Sequence, residues 1–121
     1  SAKRRDAIWA LGVIGDERAI KPIMEIVKKG EKHPNYSDAL MALSRMKYEG
    51  AFPYVIKIAK KSYPDNCGAV PMLKEFGKPE SIPLLLEIKA TIHQKDWFIE
   101  RLDTGAIDDA IQHIESLQKS Q

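Results

Sequence analysis

The fold of this chain is decided by the stretch RDAIWALGVIGD, residues 5–16. A related stretch, SDALMALSRM, follows at residues 37–46, and a third, GAVPMLKEFG, at residues 68–77. Apolar or small residues recur at three matching positions of each copy: Ala7, Ala39 and Ala69; Leu11, Leu43 and Leu73; Ile14, Met46 and Phe76. The chain is therefore an internal repeat, in which each copy is expected to form one supersecondary unit.

A second block follows each first block. Ala19-Ile20-x-x-Ile23 matches Ala51-Phe52-x-x-Val55 and Ser81-Ile82-x-x-Leu85. The blocks have helical spacing, which in the first copy predicts two buried stripes: Ala7, Ala10, Leu11 and Ile14, then Ile20, Ile23 and Val27. Because no segment alternates with period two for long enough to form a strand, the sequence predicts an all-α fold.

Capping residues bracket the predicted helices. Asp16 is a plausible N-cap, Gly30 a plausible residue after a helix end, and Pro79 fits a first helical turn. Asn35 or Ser37 could begin the second pair, and Asp65 or Asn66 the third. These signals predict helix pairs at residues 3–30, 35–62 and 65–92.

The last part of the chain departs from this pattern. Residues 96–102 are predicted to form a short helix, and Thr104-Gly105 to open a last one, with its apolar stripe at Ile107, Ala110, Ile111, Ile114 and Leu117. We interpret residues 95–119 as a degenerate fourth pair, since terminal repeats are usually atypical. The prediction is a single domain, residues 1–121, of about four antiparallel helix pairs stacked as a right-handed α-α superhelix.

The motif Ala-x-x-Ala-Leu-Gly-x-Ile-Gly-Asp-x-x-Ala-Ile-x-Pro-Ile, residues 7–23, resembles the HEAT repeat. More narrowly, it is similar to the short HEAT-like repeat of phycocyanobilin lyases. The resemblance covers most of residues 3–92. The second copy departs from it with Lys47 at the position equivalent to Gly15, and the third with Pro71 inside its first helical block. It implies that the second helix of each pair lines a concave surface. Fold alone does not imply function.

Composition excludes several classes of protein. The 121 residues have a net charge of +2, and the single cysteine, Cys67, excludes an internal disulfide framework and a multi-cysteine zinc site. No run approaches the 18 apolar residues that a membrane helix needs, and no signal peptide is visible. We therefore expect a cytoplasmic protein without membrane contact.

The sequence offers little catalytic chemistry. None of the histidines, His33, His93 and His113, is followed by Glu or has a second histidine at helical spacing. Cys67 could have a lowered pKa at a helix start, but a small packed residue is the favoured interpretation. The carboxylate pairs Asp108/Asp109 and Asp96/Glu100 do not by themselves form an acid–base dyad. We expect no metal, no cofactor and no catalytic residue.

Charge is distributed unevenly along the chain. Residues 1–61 contain 13 basic and 7 acidic residues, a net charge of +6, whereas residues 62–121 contain 6 and 10, a net charge of −4. A total of +2 is small for a protein that binds nucleic-acid backbones. We therefore do not expect nucleic acid as the partner, and an uneven distribution of this kind would orient a protein partner.

The helical spacing selects residues of the second helices that point away from the core. Tyr54 and Leu84 would form the centre of this surface, with charged residues around them, as in protein-binding hot spots. The predicted partner-binding residues are Glu25, Lys28, Tyr54, Lys57, Lys60, Leu84, Glu87, Asp109 and Gln112. Trp9 is expected either to pack over the first repeat or to cover a neighbour absent from this chain.

These observations favour a non-catalytic protein-interaction module that binds another protein, as an adaptor, a scaffold or an inhibitor of the immunity type. Two alternatives stay open: an enzyme or enzyme subunit resembling the bilin lyases, and a nucleic-acid-binding HEAT-like protein.

Overall fold

The computed structural model describes residues 2–92 and 96–119, with all side chains in these ranges except those of residues 2, 4, 11 and 12. This part of the chain contains α-helices, short 3-10 helices and no strand, which confirms the all-α prediction. The α-helices are α1 Ala2–Ile14, α2 Ile20–Lys28, α3 Tyr36–Arg45, α4 Phe52–Ala59, α5 Ala69–Phe76, α6 Ile82–Ala90 and α7 Trp97–Lys119.

The same turn connects the two helices of each copy. It begins with a residue in the left-handed region, Gly15 (φ 73°), Lys47 (φ 54°) or Gly77 (φ 68°). An extended residue follows, and then a 3-10 helix at Glu17–Ala19, Glu49–Ala51 or Pro79–Ser81. Lys47 adopts this conformation although a side chain opposes it, so the turn geometry is retained where the glycine is not. The repeat read from the sequence is therefore a structural repeat.

The predicted caps agree with these boundaries in most cases. The Asp16 carboxylate accepts the backbone N–H of Arg18 at 3.0 Å and begins the first 3-10 helix. Gly30 follows the end of α2 with φ 101°. Helix α3 begins directly after Asn35 rather than at Ser37. Pro79 occupies the first position of its 3-10 helix, where the missing N–H costs no hydrogen bond.

The chain divides into two compact units, residues 1–54 and 55–121, and the division falls within α4. In the first unit, α3 packs against α1 and α2. Its core contains Ile23 and Val27 of α2 and Leu40 and Leu43 of α3, all buried. The prediction of one single domain stays a prediction.

The prediction of a buried stripe on α1 is wrong for the residues of the stripe whose side chains the structure describes. Ala7 and Ile14 are exposed, and Ile8 is the residue of α1 that is buried. The matching residues of the third copy, Ala69 and Phe76, are buried as predicted. Helix α1 carries apolar residues on more than one side, so its spacing did not define a single face.

In the second unit, α7 packs against α5 and α6. Ile107, Ala110 and Ile114 of α7 are fully buried, as the spacing predicts. They meet a core that includes Leu73 of α5 and Leu85 of α6. None of the helices in the described ranges has an apolar stretch long enough to cross a lipid bilayer.

The predicted degenerate fourth pair requires a correction, because α7 is one continuous helix over residues 97–119. Asp96 caps its start by accepting the backbone N–H of Phe98 at 2.9 Å. Thr104 does not open a new helix: its hydroxyl donates to the carbonyl oxygen of Glu100 at 2.9 Å, one turn back. Gly105 lies inside the helix with no atom near the position of a Cβ. The helix pairs therefore number three, followed by a single long helix.

Candidate functional site

A cleft in the second unit contains two of the predicted partner-binding residues. It has a volume of about 260 Å³ and lies where the end of α4, the 3-10 helix Asp65–Gly68 and the second half of α6 meet. We call it the α4–α6 cleft. It is lined by Ala59, Lys60, Lys61, Asn66, Glu87, Ile88 and Thr91.

The inner wall of this cleft holds an incompletely bonded amide. Asn66 is 1% exposed, and its Nδ2 donates to Oγ1 of Thr91 at 2.9 Å. The Thr91 hydroxyl in turn donates to the carbonyl oxygen of Ile88 at 2.7 Å. The Oδ1 atom of Asn66 is buried and accepts no hydrogen bond. Buried polar atoms normally have a partner, so the Asn66 amide is only partly bonded within the chain.

Lys60 and Glu87 place opposite charges at the rim of the α4–α6 cleft. Lys60 directly follows α4, and Glu87 lies on α6 one residue before the buried Ile88. Both side chains are exposed. The cleft thus combines an apolar floor, a buried acceptor and a rim with both signs of charge, which is the usual composition of a site that binds a polar segment specifically.

The other predicted residues occupy several elements. Lys57 is exposed on α4, whereas Tyr54 and Leu84, the proposed anchors, are each half-buried, on α4 and α6. The remaining members are exposed: Glu25 and Lys28 on α2, and Asp109 and Gln112 on α7. Asp109 does not line the α4–α6 cleft. It was assigned to the second helix of a fourth pair, and that pair is replaced by α7.

Asp109 lines a second cleft of about 310 Å³ between α5 and α7, which we call the α5–α7 cleft. Lys74 of α5 donates to Oδ2 of Asp109 at 2.6 Å, and this hydrogen bond and the lysine charge lower the pKa of Asp109. Asp103 also lines the cleft and accepts the Tyr63 hydroxyl at 2.6 Å. The wall is completed by Cys67, Val70, Pro71 and Ala106.

The α5–α7 cleft does not activate its cysteine. Burial raises the pKa of the Cys67 thiol, and the negative charge of Asp103 raises it further. A thiol in such surroundings stays protonated at neutral pH and is a poor nucleophile. This agrees with the interpretation of Cys67 as a packed residue.

The other candidates for chemistry are bonded for structural reasons. Asp108 bonds Lys89 of α6 at 2.8 Å, whereas the neighbouring Asp109 bonds α5, so these carboxylates point to different helices. Nδ1 of His33 accepts the backbone N–H of Asn35 at 3.1 Å, inside a turn. His93 lies outside the described residues. In residues 2–92 and 96–119, no three His, Cys, Asp or Glu side chains lie close enough together to hold a metal ion.

Sequence reasoning missed the chemistry of the α4–α6 cleft. The sequence marks Asn66 only as a possible helix start and gives no signal for Thr91. Their hydrogen bond joins residues 25 positions apart, which no helical spacing indicates. The one signal in the sequence is a polar side chain near the beginning of a 3-10 helix.

One comparison with known proteins gives a match. Residues 3–29 match the family model described as PBS lyase HEAT-like repeat. No curated protein and no solved structure matches the chain. The matched segment contains the motif of residues 7–23 and ends one residue after α2. The resemblance predicted from that motif is confirmed: the first helix pair of this all-α chain is similar to the PBS lyase HEAT-like repeat.

Proposed function

We propose that this chain is a non-catalytic protein-interaction module whose second unit binds a segment of a partner protein in the α4–α6 cleft. The observation that carries the proposal is the cleft itself, in which the exposed charged side chains of Lys60 and Glu87 lie beside a floor that includes the buried Ile88. A peptide segment with apolar and charged side chains suits such a lining.

The charges at the rim support a partner of mixed charge. Lys60 would pair with a carboxylate of the bound segment, and Glu87 with a basic or N–H group. Lys89 is different, because its ammonium group is already bonded to Asp108 at 2.8 Å. Opposite charges at fixed positions favour one orientation of the bound segment.

The adjoining predicted surface would extend the contact. Lys57 lies on α4 three residues before Lys60, which follows the helix, and Leu84 and Glu87 have the same spacing on α6. Leu84 is half-buried on α6, and a partly exposed aliphatic side chain can serve as an anchor for a partner.

The chemistry of the described residues favours binding over catalysis. The Cys67 thiol has a raised pKa, and the carboxylates of Asp103, Asp108 and Asp109 accept hydrogen bonds from Tyr63, Lys89 and Lys74. No nucleophile of the described chain is activated by a neighbouring base. An adaptor, a scaffold and an inhibitor are all compatible with this arrangement.

The proposal is tested with charge-reversed variants in affinity capture from the native lysate, quantified by mass spectrometry. Lys60→Glu and Glu87→Lys are each expected to reduce the captured protein partner at least tenfold. Lys32→Glu is the matched control, because Lys32 is exposed and lies outside the predicted surface. It is expected to leave capture unchanged.

Lys60→Glu and Glu87→Lys change the charge in opposite directions, so together they distinguish a protein partner from a nucleic acid. A nucleic-acid partner held by general positive charge would be lost with Lys60→Glu and with Lys32→Glu, and gained with Glu87→Lys. That pattern would contradict the proposal. Equal capture by all three variants would also contradict it, since the cleft would then have no part in binding.

A further inference from the structure

Four large apolar side chains are exposed at the start of α7. Trp97, Phe98, Ile99 and Leu102 are between 43% and 70% exposed, and we call them the α7 patch. The rings of Trp97 and Phe98 contact each other edge to face at 6.0 Å. Further along the same helix, Ile107, Ala110 and Ile114 are fully buried. An exposed apolar cluster of this kind indicates an interaction surface.

Acidic residues border the α7 patch. Residues 96–103 contain Asp96, Glu100 and Asp103 against one basic residue, Arg101. Asp96 caps the helix and Asp103 accepts the Tyr63 hydroxyl, and these hydrogen bonds hold the carboxylates in place beside the patch. The patch is therefore suited to a partner with apolar and basic residues.

Helix α1 has a surface of that composition. Trp9, Val13 and Ile14 are between 55% and 73% exposed, and we call them the α1 patch. The residues before them, 3–6, read Lys-Arg-Arg-Asp. Ile14 occupies the repeat position at which Met46 is half-buried and Phe76 buried. The α1 patch thus exposes apolar side chains that the later copies cover, next to a net positive charge.

We propose that copies of this chain associate head to tail, with the α1 patch of one copy on the α7 patch of a second copy. Both patches are apolar, and their bordering charges have opposite sign. Contacts between two α1 patches or two α7 patches would bring like charges together, which opposes association. The contact therefore joins two different surfaces, and each pair of copies keeps one patch of each kind free.

The size of the patches predicts a weak contact. Each contains three or four large side chains, which corresponds to a few hundred Å² of apolar surface. This is at the low end for specific interfaces, so association is expected to depend on concentration. Both tryptophans of the chain lie in the patches, one in each. Their fluorescence is therefore expected to shift to shorter wavelength as the chains associate.

The test is sedimentation equilibrium of the full chain, with tryptophan emission measured on the same samples. The weight-average mass is expected to rise above the 13.7 kDa of one chain as concentration increases. Val13→Asp and Leu102→Lys each remove one patch, and each variant alone is expected to stay at 13.7 kDa. In an equimolar mixture, the intact α7 patch of Val13→Asp can bind the intact α1 patch of Leu102→Lys. The mixture is therefore expected to reach twice the mass of one chain and no more.

A matched control uses Leu86, which is 51% exposed on α6 and lies outside both patches. Leu86→Lys is expected to associate as the unchanged chain does, and circular dichroism verifies that all variants are folded. The proposal is overturned by a chain that stays monomeric at all concentrations, or by a mixture of variants that stays monomeric. Association of either single variant, or its loss in Leu86→Lys, would overturn it equally.

Discussion

Replacing Gly105 by Ala is expected to stabilise the protein, although glycine often marks the end of a helix. Gly105 lies in the interior of α7, and a Cβ added there meets no atom within 4 Å. Glycine in a helix interior costs about 1 kcal/mol relative to alanine, because its backbone loses more freedom on folding. The substitution therefore adds about 1 kcal/mol to the free energy of unfolding. For a chain of this size the melting temperature should rise by about 3–6 °C.

The matched control is Gly77→Ala, which adds the same methyl group at a position where the backbone conformation and the packing both disfavour a side chain. Gly77 has φ 68°, and its added Cβ would lie 2.7 Å from Cδ1 of Leu117. A side chain in the left-handed region costs about 1–2 kcal/mol, and Leu117 must also move. Gly77→Ala is expected to lower the melting temperature.

Thermal unfolding followed by circular dichroism at 222 nm, with urea unfolding as a second measure, checks both variants. The sign of the Gly105→Ala effect decides the structure of this region. If residues 96–102 and 104–119 were separate helices with Gly105 at the junction, alanine would destabilise the protein. A lower melting temperature for Gly105→Ala would refute the continuous helix.

Four further predictions concern buried or bonded groups. Ser81 is buried with no partner for its hydroxyl, so Ser81→Ala should raise the free energy of unfolding by about 1 kcal/mol. Ser44 is equally buried, but its hydroxyl bonds a backbone carbonyl at 2.7 Å, and Ser44→Ala should lower the free energy of unfolding by about 0.5–1 kcal/mol in the same urea titration. The pH midpoint for alkylation of Cys67 by iodoacetamide should lie above the pKa of about 8.5 of a free thiol, and Asp103→Asn should lower that midpoint; a midpoint at or below 8.5 in the unchanged chain contradicts the assigned burial. The pKa of Asp109 is lowered in the folded state, so its carboxylate stabilises the fold above the ordinary aspartate pKa of about 3.9 and loses this effect as pH falls through the lowered value. The difference in unfolding free energy between the unchanged chain and Asp109→Asn should accordingly be constant near neutral pH, begin to fall near the ordinary pKa of about 3.9, and disappear only below the lowered pKa.

The repeat spacing predicted most of the core correctly. Val27, Val55 and Leu85 of the second helices are buried as expected, and so are Leu43 and Leu73 of the first helices. These residues lie on helices with one apolar side, for which the helical spacing defines a single buried face. The left-handed position of the turn is occupied by glycine in two copies, Gly15 and Gly77, and by Lys47 in the other.

The two failures have local physical causes. Helix α1 has apolar residues on more than one side: Ile8, Trp9, Val13 and Ile14. Alignment with the other copies therefore predicted burial of Ile14, whereas Ile8 is buried and Ile14 is exposed. In α7, Gly105 suggested a break, yet the Thr104 hydroxyl bonds one turn back and the helix continues. Glycine interrupts a helix only where the backbone takes a conformation that other residues avoid.

The candidate site was harder to predict because it lies in the connections between copies rather than in the repeated turns. The turns at residues 15, 47 and 77 share one backbone conformation. The connections instead differ in length and sequence, and each ends near a buried asparagine: Asn35 leaves Nδ2 without a partner, and Asn66 leaves Oδ1 without one.

A buried amide with one unbonded atom lowers stability, since its desolvation is not compensated within the chain. Under the proposed function, the connection that follows α4 forms part of the α4–α6 cleft, and loops commonly carry function. Asn66→Ala removes the bond to Thr91 together with the unbonded Oδ1, so the free energy of unfolding should fall by less than for a fully bonded amide. Partner capture should also fall, because the wall of the cleft loses a side chain.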